Sequence, residues 1–156
     1  MKSVEQSGSA VIVQIGSPAD SKLYVLAEAS ELLPVVRKIT ENAYERLSRL
    51  DQRLELMLLC DPRRIAIADE YEKLVRKWIV SIARLGAIPN GLWRVDFDTG
   101  EGYLCWRFPE LKIGYFRDYD CEFDDRKPVK SLIEETAPGW AYIALLTIFA
   151  DMPESK

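Results

Sequence analysis

Residues 118–125 read Asp118-Tyr119-Asp120-Cys121-Glu122-Phe123-Asp124-Asp125, with a carboxylate at nearly every second position. Oxygen ligands two apart can converge on a hard cation such as Ca²⁺ or Mg²⁺, and the run begins like a calcium-binding loop. Such a loop needs glycine at its sixth position, where Phe123 stands, and a bidentate glutamate at its twelfth, where Val129 stands. In an extended chain the same alternation puts the carboxylates on one face and Tyr119, Cys121 and Phe123 on the other. The run therefore predicts a solvated edge strand or extended arm and no metal site.

Arg107, Arg117 and Arg126 flank these acids. Guanidinium forks suit an anion pocket and ion pairs across a sheet alike, and ion pairs are the expectation. Cys105, between Leu104 and Trp106, would need a neighbouring base to act as a nucleophile. The chain contains no histidine, which removes Ser-His-Asp and Cys-His catalysis, His-ligated zinc and imidazole pH switching together. Gly100-Glu101-Gly102 precedes no helical pattern carrying Lys-Ser/Thr, so it reads as a turn and not a phosphate loop. No cofactor is implied, and the balance falls against an enzyme.

With 156 residues, 21 Lys+Arg against 25 Asp+Glu and a formal charge of −4, the chain predicts one acidic, soluble domain. Cys60, Cys105 and Cys121 are odd in number and widely spaced, which fits reduced thiols in a cytoplasm. No apolar segment follows Lys2 directly, so no signal peptide is expected. The longest apolar stretch, Trp140 to Ala150, is too short to span a bilayer. Basic points such as Arg37-Lys38, Arg63-Arg64 and Lys73-Arg76-Lys77 are interspersed with acids, which argues against nucleic acid as a partner.

The elements that must position these groups follow from apolar spacing. Ala29, Leu32, Val36, Ile39, Ala43, Leu47, Leu50, Leu54 and Met57 recur at steps of three and four, a coiled-coil-like seam that predicts a helix from about Leu26 to Leu59. Pro34 lies inside it and predicts a local kink. After a break at Cys60 to Arg64, Ile67, Tyr71, Leu74, Trp78, Ile82 and Leu85 resume the pattern, and Gly86 supplies a left-handed C-terminal cap. Two helices joined so closely pack antiparallel. The seam alone falls short of the conformational entropy of roughly sixty ordered residues. Leu33, Val35, Leu56, Leu58, Val75 and Ile79 lie off it and predict a second buried face, covered by the C-terminal half or by another copy.

Short aromatic and β-branched runs follow: Leu92 to Phe97, Tyr103 to Phe108 and Leu111 to Phe116, separated by turn residues, which predict an antiparallel meander. Pairing of Trp93-Arg94 with Trp106-Arg107 would set each Arg near the other strand's Trp, or Trp on Trp, according to register. Ala10 to Ile15 predicts a strand. Trp140 to Phe149 fits a helix slightly better than a strand. The fold class is thus α+β, a long helical hairpin followed by a small β-meander in one domain: an N-terminal extension over 1–22, the hairpin over 23–86, the β unit over 87–130 and a C-terminal extension over 131–156.

Two segments together resemble a known family. Tyr24-Val-Leu-Ala-Glu-Ala-Ser-Glu-Leu-Leu-Pro34 opens the long helix, and Leu104-Cys-Trp-Arg107 is followed by Ile113-Gly-Tyr-Phe-Arg-Asp-Tyr-Asp120, Phe123 and Arg126-Lys-Pro128. The pattern is similar to that of domain-of-unknown-function family 2203, an uncharacterised bacterial family, over about Leu23 to Val129. That family often has Thr where this chain has Val25, as helix N-cap, and His where this chain has Arg117. The resemblance implies the hairpin and the β unit and carries no activity with it.

Two functions are expected in competition. The first is a non-enzymatic interaction or scaffold protein that self-associates, most simply as a dimer, through its hairpin. The second is a small-ligand binder or enzyme with a pocket where sheet meets hairpin, lined by Trp93, Trp106, Arg107, Tyr115, Arg117 and Asp118.

Overall fold

A computed structural model describes residues 22–141. Its helices α1 (Leu26–Glu55) and α2 (Arg63–Arg84) lead into five strands, β1 (Ile88–Pro89), β2 (Arg94–Asp98), β3 (Gly102–Arg107), β4 (Tyr115–Asp118) and β5 (Lys127–Pro128), and a short helix α3 (Val129–Thr136). The helices run antiparallel: Arg64, at the start of α2, reaches the Leu54 carbonyl, while further from the connection Trp78 bonds to Thr40. The strands form one antiparallel sheet in the order β1-β2-β3-β4-β5. The fold is α+β, as the sequence predicts.

Helix α1 continues through Pro34 and stops at Glu55, short of the predicted Leu59. Its end is fixed by Arg64, whose Nη1 donates to the Leu54 carbonyl at 2.7 Å and to that of Met57 at 3.2 Å, satisfying acceptors a helix terminus leaves open. At the other end Val25 provides no side-chain cap. The neighbouring Tyr24 anchors this terminus instead: its backbone N–H donates to the Asp98 carbonyl at 2.7 Å and its hydroxyl to the Leu85 carbonyl. Gly86 ends α2 at φ +81°, and a Cβ there would lie 2.9 Å from the Cβ of Lys22. Glycine is required on both counts.

The buried stripe of α1 comprises Ala29, Leu33, Val36, Thr40, Leu47 and Leu50. Leu33 and Thr40 replace the predicted Leu32, Ile39 and Ala43, which are half-buried. The stripe is turned because the sheet takes the role of the second layer. Val95, Phe97, Leu104, Trp106 and Phe116, on one face of the sheet, form a single core with Leu33, Val36, Trp78 and Ile82. Of the residues off the predicted seam, Leu33 is buried, Val75 and Ile79 are half-buried, and Val35, Leu56 and Leu58 are exposed.

Three further expectations differ from the structure. The third strand begins at Tyr115 and not Leu111, because the chain first folds back at Glu110, whose carbonyl accepts from the Trp106 indole at 2.8 Å. The strand pairing sets Arg94 opposite Arg107 and Val95 opposite Trp106, so neither Trp-Arg contact nor Trp-Trp contact forms across β2 and β3. The acidic run is no edge strand: β4 ends at Asp118, the chain turns, and Phe123–Asp125 form a 3-10 turn. Burial of Phe123 and the bond from Arg117 to the Cys121 carbonyl at 2.6 Å draw the run over the sheet. Trp140 sits in a 3-10 turn, Gly139–Ala141, stacked on Phe116. The strand predicted over Ala10 to Ile15 and the remainder of the Trp140 to Phe149 segment lie outside the described residues.

Candidate functional site

Strand alternation gives the sheet an inner face against the hairpin and an outer face carrying Arg94, Asp96, Tyr103, Cys105, Arg107, Tyr115 and Arg117. The six predicted pocket residues are divided between these faces. Trp106 is fully buried within the core. Trp93 adopts φ +66°, rare for a bulky residue, and lies edge-on to Trp78 and Tyr44 with ring centroids 5.3 and 5.7 Å away. It joins the sheet-side core to a second apolar cluster of Leu47, Leu50 and Ile67. Arg107, Tyr115 and Arg117 lie on the outer face, and Asp118 is exposed at the end of β4. The space between sheet and hairpin is filled by Val95, Phe97, Leu104 and Trp106, none with any exposed surface.

A polar cluster covers the outer face instead. Asp96, fully buried, accepts from Arg117 Nη2 and, at 2.9 Å, from Asn90 Nδ2. Arg117 also lies over the Tyr103 ring, 4.5 Å from its centroid. Beside this pair, burial first and the Asp96 carboxylate second push the Cys105 thiol well above its ordinary pKa. The thiol stays protonated and is no nucleophile. Arg126 pairs with Glu110 at 2.7 Å and stacks over Tyr115 and Phe123, at 4.1 and 4.7 Å, while Arg94 lies over Phe123 at 4.8 Å.

Arg117 and Arg126 thus make the expected ion pairs, but with Asp96 and Glu110 and not with the acidic run. Asp96 escaped sequence reasoning although its signal was present: a carboxylate between Val95 and Phe97 in a strand must be buried or exposed against its neighbours, and a buried one requires a cation. Arg117 is tied both to Asp96 and to the Cys121 carbonyl.

A model of the family described as "Uncharacterized conserved protein (DUF2203)" matches residues 22–129. The chain belongs to that family. No curated protein and no solved structure matches the chain. In this DUF2203 chain the matched segment runs from the start of the hairpin to the last strand, so it includes the polar cluster and all of the core except Trp140, Ala141 and the side chains of α3 that pack on it. Among the described residues no group of three or more His, Cys, Asp or Glu side chains is placed to hold a metal, and no helix is long and apolar enough to cross a membrane.

The hairpin's free end has a different character. Leu56, Leu58, Leu59 and Ile65 expose between 75% and 90% of their surface. The segment that bears them is braced: Arg64 holds the end of α1, and Asp61 accepts from the backbone N–H of Arg63 at 2.9 Å and from its guanidinium at 2.7 Å. That fork, and then the backbone bond, lower the Asp61 carboxyl to a pKa of about 2. A separate groove of about 220 Å³ between the helices is lined by hairpin residues alone, among them Ile39, Arg46, Leu74 and Lys77.

Proposed function

We propose that this protein is a non-enzymatic interaction protein that self-associates as a dimer through the free end of its helical hairpin. The observation that carries the reading is the cluster of Leu56, Leu58, Leu59 and Ile65, more exposed than any other large aliphatic group among the described residues apart from Leu111. Exposed apolar side chains on one short connection and in the first turn of the helix that follows it mark an association surface. Braced by Arg64 and Asp61, they are held ready, which lowers the ordering cost of docking. A two-fold contact lets each tip cover its copy with the same side chains. The filled space between sheet and hairpin favours this over a ligand pocket there.

Sedimentation analysis of the full chain across micromolar concentrations tests the reading. The wild type is expected to sediment as a dimer and a Leu56→Ser/Leu59→Ser/Ile65→Ser variant as a monomer with unchanged helical circular dichroism. A wild type that stays monomeric throughout, or a variant that dimerises equally well, would refute it.

A further inference from the structure

The outer face of the sheet carries two adjacent arginines with no carboxylate paired to either among the described residues. Arg94 and Arg107 are direct neighbours across β2 and β3. Side chains directly opposite on antiparallel strands start only about 4.5–5.5 Å apart at Cβ, and like charges there are destabilising. Neither arginine forms an ion pair with any described residue. Asp96 holds Arg117, and Glu110 holds Arg126 while also accepting from the backbone N–H of Arg107 at 3.0 Å. Arg94 is also held in place, because its guanidinium lies on the Phe123 ring, which carries Arg126 as well.

We infer that Arg94 and Arg107 form a binding site for the phosphate group of a small phosphomonoester. A dianion set between them turns the repulsion into two attractions, and tetrahedral phosphate oxygens accept from two planar forks at once. Arg94 supplies the positioned fork and the exposed Arg107 closes on the ligand. The Tyr115 ring under Arg126 offers an aromatic surface on the same face. This site is independent of the hairpin tip and does not rest on self-association.

The test is titration calorimetry of the full chain with phenyl phosphate and with inorganic phosphate, beside thermal unfolding at constant ionic strength set with chloride. Saturable binding of one phenyl phosphate per chain is expected, at least as tight as inorganic phosphate. Arg94→Gln and Arg107→Gln should each weaken it about tenfold or more, the loss of one charge-assisted fork. Without phosphate, Arg107→Gln should melt higher than the wild type, since the repulsion is relieved, and should lose the phosphate-induced rise. A merely structural arginine would lower the melting point instead. The inference fails if phosphate stabilises no more than chloride, if the double glutamine variant still responds, or if inorganic phosphate binds and phenyl phosphate does not.

Discussion

The two ends of the hairpin are written in the same alphabet and meet opposite fates. At the end nearest the sheet, Leu33, Val36, Trp78 and Ile82 disappear beneath Val95, Phe97, Leu104 and Trp106. At the other end Leu56, Leu58, Leu59 and Ile65 remain open. Spacing reports which side of a helix is apolar; what lies over it depends on how far the covering layer extends. Here the sheet is five short strands, and a helix of 30 residues outruns it.

The comparison predicts that damage near the sheet costs folding more than damage near the tip. The largest effect is expected at Asp96→Ala, which strands the Arg117 guanidinium without its carboxylate: about 3–5 kcal/mol lost in denaturant unfolding. A loss below about 1 kcal/mol would mean that the outer face does not hold the sheet together. A smaller loss, about 1–3 kcal/mol, is expected from Trp78→Phe, because the indole N–H that donates to the buried Thr40 hydroxyl at 3.0 Å is removed. Thr40→Val in the same background should recover part of it, and no recovery would assign the loss to packing alone. The smallest effect belongs to the tip and to acid. Asp61 has its pKa lowered from 3.8 to about 2, so its stabilising contribution is complete above pH 3.8 and fades as pH falls toward 2. Wild type and Asp61→Ala should therefore differ in thermal midpoint at pH 6 and converge near pH 2. A difference that persists at pH 2 would show that the carboxylate charge is not the cause.

Much of the hairpin was legible because helical periodicity is local: the stripe from Ile67 to Leu85 and the Gly86 cap are found where spacing put them, while the break predicted at Cys60 to Arg64 falls earlier, between Glu55 and Arg63. Strand positions were less legible, since Leu111 to Ile113 look like strand residues and yet are drawn into the turn that satisfies the Trp106 indole. The six candidate pocket residues are dispersed for a related reason. Trp93, Trp106, Arg107 and Arg117 are close in sequence, but a side-chain period of two divides such neighbours between opposite faces, and pairing register decides which groups meet. The acidic run leaves the strand because period-two alternation does not register that Phe123 has a buried place against Arg94 and Arg126.

Tyr24 carries a consequence for how the molecule is made. Its bonds reach forward to Leu85 and Asp98, so Tyr24, just before the first helix, is moored to chain that is synthesised much later. During translation α1 must emerge with its leading turn untethered, and it gains its anchor when the first sheet hairpin has cleared the ribosome. The start of α1 is thus among the last parts of the described fold to be secured.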